Sequence, residues 1–278
     1  VNGKDTVMTL GAAAKVMLTV TDSTRKGYEM EYTFLEFVSD DQIKSEAQNL
    51  IGQVMDILND ATVGTTIRFR TDQCGKIVKY YNLKDIRKQA KEVLTKAISK
   101  MPYADSLRAV GLKLDKLMSM IDSDNLVDGY TEEIELLFNY HGDQYKIGET
   151  ESHEDATENE YASDTKTDIW LDPDTYEYGI SADVYSYIPR EDIKVLLGNI
   201  IEYFTDEESA KDVREGLDTE FDSQVTTDGV YNSYVRISYF NDGWPQEVVS
   251  QDNISLGDRQ KLKQKYITWD YRSVGHSE

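Results

Sequence analysis

The chain has 278 residues, 39% of them hydrophobic, so it can bury a core and form one large or two small domains. Its net charge of −22 repels phosphate backbones and anionic lipid headgroups, which argues against nucleic acid and charged membrane surfaces as partners. The single cysteine, Cys74, excludes an internal disulfide, and no apolar run reaches the roughly 18 residues of a transmembrane segment.

Two long strands and a helix are predicted first. Thr6–Thr21 carries apolar residues on one face at period two, and Glu29–Val38 is its expected partner. The polar stretch between them, Asp22–Gly27, ends in glycine as a turn does. A helix is predicted from about Asp40 to Leu58, where apolar residues recur at helical spacing.

A hairpin follows this helix. Its strands, Thr65–Thr71 and Lys76–Tyr81, are rich in β-branched and aromatic residues, and Gly75 can take the positive φ that closes the turn. Residues 84–124 then predict an inserted pair of amphipathic helices, which Pro102–Asp105 interrupts. A second hairpin is predicted from Glu132–Tyr140 and Gln144–Thr150.

The rest of the chain begins with an acidic stretch, 149–167, which reads as a linker or a solvated edge strand. Strands are predicted from Ile169 to Val184, a helix from Pro189 and another over Asp206–Phe221. A hairpin follows at Val235–Ser250, and Lys265–Ser273 is expected as the last strand.

Several of these segments recur in the same order, which predicts a duplication. The hairpin with Gly75 matches the hairpin with Gly243 at a constant offset. Upstream, the Val20–Tyr28 stretch aligns with Trp170–Tyr178, which places Asp22 on Asp172 and Tyr28 on Tyr178. Residues 51–58 likewise match 197–204 in apolar, glycine, amide and acidic character.

We therefore predict an α+β fold: a large antiparallel, meandering sheet built from two related β-β-α-β-β halves, with helices packed on one face. The predicted halves are 1–148 and 168–278, joined by the acidic segment 149–167.

No catalytic site is expected, because the sequence has no nucleophile-elbow, phosphate-loop, dinucleotide or zinc-protease motif. The three histidines are far apart in sequence, so neither a metal centre nor a cofactor site is predicted. A hydrolase stays the weakest of the functional alternatives, since an acidic chain contains many carboxylate pairs by chance.

The 19 tyrosines are the unusual feature of the composition. Aromatic side chains on exposed strands can stack on sugar rings or line an apolar pocket, although tyrosine is also an ordinary strand residue. The candidate ligand-binding residues are Trp170, Tyr176, Tyr178, Tyr185 and Tyr187.

Four features of the first half, namely Val16–Thr21, Tyr28–Val38, the helix at Asp40 and the hairpin IRFRTDQCGKIVKYYN, precede a short strand at Tyr145–Glu149. In this pattern the chain resembles uncharacterised exported proteins of anaerobic Gram-negative bacteria. The resemblance implies export, to the periplasm or to the outer membrane through a lipid anchor upstream of Val1. It implies no activity and no site residues.

The leading functional hypothesis is a non-enzymatic, exported or envelope-attached protein that binds an apolar or lipid-like ligand between sheet and helices. The alternative is a surface module that binds glycan or protein through the strand tyrosines. The sequence leaves the ligand and the oligomeric state open.

Overall fold

The structure is a computed structural model, and it describes residues 11–39, 59, 61–99, 125–158 and 160–273. The chain divides into two units. The N-terminal unit holds the described residues of Met8–Asp143 and Gly198–Glu215, and the C-terminal unit holds those of Gln144–Leu197 and Gly216–Glu278. Because the described strands are all antiparallel and helices accompany them, the predicted α+β class is confirmed; the strands form two sheets rather than the one large sheet that we expected.

The N-terminal unit contains a four-stranded sheet in the order β1-β2-β3-β4. Its strands are β1 (Ala12–Thr24), β2 (Gly27–Ser39), β3 (Thr66–Thr71) and β4 (Ile77–Tyr80). The predicted β3–β4 hairpin is confirmed, and Gly75 closes it with a φ of +87°. The predicted helix at 40–58 lies outside the described residues.

Two described helices accompany this sheet, α1 (Leu83–Ser99) and α2 (Asn125–Phe138). Aromatic side chains join α2 to the sheet: the ring centroids of Phe34 and Tyr130 are 6.1 Å apart, and those of Phe69 and Phe138 are 5.7 Å apart. Phe34 and Phe69, the two strand residues of these pairs, are almost fully and fully buried, so this sheet face is the core of the unit. The first inserted helix is thus confirmed as α1, whereas the second, at 107–121, lies outside the described residues.

The hairpin that we predicted from Glu132–Tyr140 and Gln144–Thr150 is wrong. The first of its strands is the C-terminal part of α2, in which Tyr130, Ile134 and Leu137 are all buried. These residues are spaced four and three apart, so they lie on one face of a helix. A short apolar run such as this one does not by itself distinguish a strand from a helix.

The C-terminal unit contains a six-stranded sheet in the order β10-β9-β8-β7-β6-β5. Its strands are β5 (Gly148–Glu154), β6 (Ser163–Leu171), β7 (Tyr178–Ile188), β8 (Gly229–Tyr239), β9 (Pro245–Leu256) and β10 (Arg259–Thr268). The acidic segment 149–167 thus contributes the edge strand β5 and the start of β6. The last strand begins and ends earlier than the predicted Lys265–Ser273.

Between β7 and β8 the chain forms α3 (Arg190–Phe204) and α4 (Glu207–Gln224), as predicted. The first turn of α3 is tied to the last turn of α4. Arg190 donates to a carboxylate oxygen of Asp222 at 2.5 Å and to the carbonyl oxygen of Val225 at 2.6 Å, and Lys194 donates to Asp222 at 2.9 Å. Among the described residues no helix is both long and apolar enough to cross a membrane.

The two sheets share a strand register. In β2–β3 the pair Met30–Phe69 lies side by side, and in β7–β8 the pair Ile180–Ile237 does the same at the aligned positions. The agreement continues into the next hairpin, where both sheets have a register shift one step before the turn. Gly75 and Gly243 close the two turns with φ values of +87° and +88°. The shared register supports a duplication, while common ancestry stays a prediction.

The first strand pair departs from our alignment, because Met30 pairs with Val20 whereas Ile180 pairs with Ile169 and not with Trp170. Tyr28 and Tyr178 do begin equivalent parts of β2 and β7, but Asp22 lies within β1 whereas Asp172 lies in the turn after β6. Asp172 accepts hydrogen bonds there from the backbone N–H groups of Asp174 (2.8 Å) and Thr175 (3.2 Å). The two aspartates therefore have different structural roles, although they are identical residues at aligned positions.

Candidate ligand-binding face

One face of the six-stranded sheet carries most of the sequence-predicted site residues. Residues paired directly across antiparallel strands point to the same face, so the pairs His153–Asp164 and Asp164–Tyr185 place one side chain from each of β5, β6 and β7 together. We call this surface the tyrosine face. Its members on these three strands are Glu149, Glu151, His153, Asp164, Lys166, Asp168, Trp170, Asp183, Tyr185 and Tyr187.

Tyr185 and Tyr187 stand two residues apart on β7, so both project from this face. They are 40% and 43% exposed, which is enough for a flat ring to contact a ligand. These are the two predicted residues that the structure brings together on an accessible surface.

Trp170 lies on the same face, but its indole ring packs against neighbouring residues of the sheet. It pairs with Gly179 on β7 and covers it so closely that a Cβ on that glycine would collide with the indole. The guanidinium of Arg236 lies 6.0 Å from the indole ring centre. Trp170 therefore covers a glycine at one end of the sheet, where an aromatic ring replaces the missing side-chain contacts.

The other two predicted residues lie elsewhere. Tyr178 belongs to the opposite face, where its ring stacks on Tyr239 with centroids 4.9 Å apart, and burial raises the pKa of its phenol. Tyr176 lies in the β6–β7 turn with a φ of +60° and is 69% exposed. The five candidates thus do not form one cluster.

A chain of hydrogen bonds crosses the tyrosine face at Asp164. The Tyr187 hydroxyl donates to one carboxylate oxygen of Asp164 at 2.9 Å, and Nδ1 of His153 lies 2.7 Å from the other. On the far side of the imidazole, Nε2 lies 3.4 Å from a carboxylate oxygen of Asp155. Three strands and the segment after β5 are joined by this chain.

These contacts shift the pKa values of all three groups in the directions that the charges require. The hydrogen bond to Asp164 raises the pKa of His153. Desolvation acts in the opposite direction, while the charges of Asp164 and Asp155 raise the pKa further. Hydrogen bonds from His153 and then from Tyr187 lower the pKa of Asp164. The hydrogen bond to Asp164 also raises the pKa of the Tyr187 phenol.

Lys166 and Asp183 on this face also have partners. Lys166 lies 3.3 Å from Glu149 and 3.9 Å from Glu151 on β5, and the hydrogen bond to Glu149 raises the pKa of its ammonium group. Asn232 donates to Asp183 at 2.5 Å. The face therefore offers an ordered set of donors and acceptors rather than a single uncompensated charge.

A cavity of about 410 Å³ lies where β5, β6 and β7 meet. It is lined by Glu151, Ser152, His153, Asp164, Thr165, Lys166 and Tyr185. Apart from Tyr185, which contributes an aromatic ring at the β7 side, the lining residues carry charged or hydrogen-bonding side chains. Within the described residues no group of three or more histidine, cysteine, aspartate or glutamate side chains is placed to hold a metal ion.

No protein-family model, no curated protein and no solved structure matches this chain. The resemblance to exported proteins of anaerobic Gram-negative bacteria accordingly stays an expectation.

Sequence reasoning missed His153, Asp164 and Lys166. The three residues stand in an acidic stretch without periodic apolar residues, and no motif marks them. Their proximity is created by the β5–β6 register, which pairs residues across a polar loop. The alternation of charged residues before Ile169 was the available signal for a two-sided strand.

Proposed function

We propose that the protein is a non-enzymatic binding protein and that its tyrosine face binds a glycan at the cavity between β5 and β7. The observation that carries this proposal is the placement of two exposed tyrosine rings beside a cavity that is lined by charged and hydrogen-bonding side chains. Sugar rings present apolar faces that stack on aromatic side chains, while their hydroxyl groups need donors and acceptors close by.

The polar lining favours a glycan over a protein partner. The centre of a protein–protein interface is depleted of charged side chains, because they must lose their hydration. Here Lys166, Glu151 and Asp164 all line the cavity. Each of them already has a charged or hydrogen-bonded partner, so a hydroxylated ligand can bind without leaving a bare charge.

The apolar-ligand hypothesis has a different basis, the apolar residues on α3. Val195 and Leu196 are 57% and 58% exposed, and a lipid-like ligand would cover them. Native mass spectrometry of protein purified without detergent tests this second candidate: an added lipid mass supports it, and the bare polypeptide mass opposes it. Export and envelope attachment fit either proposal and stay predictions.

The glycan proposal is tested by affinity electrophoresis through gels that contain soluble starch, galactomannan, xyloglucan or hydroxyethyl cellulose. We expect at least one of these neutral polysaccharides to retard the protein. Because an aromatic stacking contact is worth about 0.5 to 1.5 kcal/mol, Tyr185→Ala and Tyr187→Ala should each weaken binding by about two- to tenfold.

Tyr176→Ala is the matched control, because Tyr176 is also an exposed tyrosine of the same unit but lies in a turn off the face. It should bind like the unmodified protein. Equal binding by all three variants would contradict the proposed site, and the absence of retardation in every gel would contradict glycan binding.

A further inference from the structure

The hydrogen-bond chain on the tyrosine face contains a histidine, the side chain whose ordinary pKa lies near neutral pH. This residue, His153, also lines the cavity. Its position suggests that the shape of the cavity wall depends on its protonation state.

Both ring nitrogens of His153 face carboxylates. Nδ1 lies 2.7 Å from Asp164 and Nε2 lies 3.4 Å from Asp155. An imidazolium carries a proton on each nitrogen and can donate to both carboxylates at once, whereas a neutral imidazole can donate to only one of them. Because the contact with Asp164 is the shorter of the two, the neutral imidazole keeps its remaining proton on Nδ1. Deprotonation therefore removes the donor facing Asp155 and also removes the positive charge that strengthens the hydrogen bond to Asp164.

Asp164 transmits this change to the predicted ligand contacts. One of its oxygens faces His153 and the other accepts the hydroxyl proton of Tyr187. The two aromatic rings proposed to hold a glycan lie on β7, next to Asp164 on β6. When the bond to His153 weakens, the Asp164 carboxylate is held less firmly, and so is the hydrogen bond that orients the Tyr187 ring.

Other charged groups near His153 contribute to its environment. Glu151 projects from the same face of β5, Lys166 and Asp164 lie on β6, and Tyr185 and Tyr187 lie on β7. Lys166 carries a positive charge, and that charge is paired with Glu149 and Glu151. Asp164 and Asp155 both favour it, so the pKa of His153 is raised.

We infer that His153 is a positioning residue that makes glycan binding dependent on pH: the imidazolium holds Asp164 and Tyr187 in the binding arrangement, and deprotonation weakens this hold. This inference rests on the proposed glycan-binding function. A raised pKa in the folded protein means that the favourable contacts are complete at low pH and are lost as the pH rises through that pKa.

The expected change is small, because the His153 side chain is 57% exposed and its contacts are screened by water. We expect binding of the retarding polysaccharide to weaken by about two- to fivefold between pH 5.5 and pH 8.5, which is the range of an exposed ion pair. The four polysaccharides named above are uncharged, so their own titration does not contribute.

The experiment repeats the affinity electrophoresis at pH 5.5, 7.0 and 8.5 with the unmodified protein, His153→Gln and the control Glu158→Gln, an exposed acid in the β5–β6 loop. Glutamine does not titrate, so His153→Gln should bind with the same strength at all three pH values. Glu158→Gln should keep the pH dependence of the unmodified protein.

The coupling between His153 and Tyr187 can also be measured by NMR in the absence of a ligand. The Tyr187 ring signals should shift with the His153 titration, and Asp164→Asn should lower the His153 pKa and abolish the coupling. An equal pH dependence in the unmodified protein and His153→Gln would overturn the inference, as would Tyr187 signals that ignore the titration. If no polysaccharide binds at any pH, the proposed function fails, and the NMR titration alone decides whether the switch exists.

Discussion

The two turn glycines provide a quantitative test of the shared register. Gly75 and Gly243 occupy equivalent positions in the β3–β4 and β8–β9 hairpins, with φ values of +87° and +88°. Replacing either glycine by alanine forces a residue that has a Cβ to keep the left-handed backbone conformation, which lowers the free energy of unfolding by about 1 to 2 kcal/mol. The backbone strain should therefore be the same in both variants.

The surroundings of the two glycines differ, so the total costs should differ. A Cβ at Gly243 would lie 3.6 Å from the Tyr178 hydroxyl oxygen, an ordinary contact. A Cβ at Gly75 would lie 2.5 Å from Cδ2 of His141, whose ring is held against Phe138 with centroids 5.2 Å apart. Moving that ring adds about 1 kcal/mol or more, since overpacking a fitted side chain has this effect.

Urea unfolding, followed by far-UV circular dichroism and tryptophan fluorescence, measures both costs. The three tryptophans all lie in the C-terminal unit, so fluorescence reports on the unit that contains Gly243. Gly216→Ala is the control, because Gly216 lies inside α4 with open space around it; this change should stabilise the protein by up to about 1 kcal/mol.

A neutral Gly243→Ala would show that the positive φ carries no strain. Equal effects of Gly75→Ala and Gly243→Ala would show that the contact with His141 is absent. Destabilisation by Gly216→Ala would show that the helix assignment is wrong.

Two further predictions concern the core and the tie between α3 and α4. Ile237→Ala should lower the free energy of unfolding by about 2 to 5 kcal/mol, because Ile237 is fully buried. Ile254→Ala is the control: its side chain is 49% exposed, so the change should lower the free energy of unfolding by less than about 1 kcal/mol. A reversed order in urea unfolding would contradict the burial pattern. Hydrogen bonds from Lys194 and the charge of Arg190 lower the pKa of Asp222, so its stabilising effect is present above the ordinary carboxylate pKa and is lost as the pH falls through the lowered value. Asp222→Asn should accordingly reduce the thermal midpoint at pH 7 but not at pH 2, and an equal reduction at both pH values would show that the ion pairs do not matter.

The local hairpins could be predicted from the sequence because their signals are local. Strands rich in β-branched residues flank Gly75 and Gly243, and both glycines adopt the positive φ that the turn needs. The helix α2 could not be predicted in the same way, because Ile134 and Leu137 alone, within the predicted strand, do not define a period. The helical spacing becomes evident only when the buried residue Tyr130, upstream of that strand, is included. Strand and helix periods are distinguishable only over a longer window.

The candidate site depends on information that is not local. Successive residues of a strand point to opposite faces, so the odd-numbered Tyr185 and Tyr187 lie on one face of β7 and the even-numbered Tyr178 on the other. This separation could be predicted from the residue numbers alone. The partners of Tyr187 were not readable, because Asp164 and His153 reach it only through the registers of β5–β6 and β6–β7. A one-residue slip in either register would move them to the opposite face.

The most direct test of the central claim is an NMR titration of protein whose tyrosine rings carry ¹³C, using the polysaccharide that retards it in the gels. Of the 19 tyrosines, we predict that the signals of Tyr185 and Tyr187, identified through their alanine variants, shift most as the glycan is added. Shifts confined to tyrosines off this face, such as Tyr176, would contradict the claim that the glycan binds there.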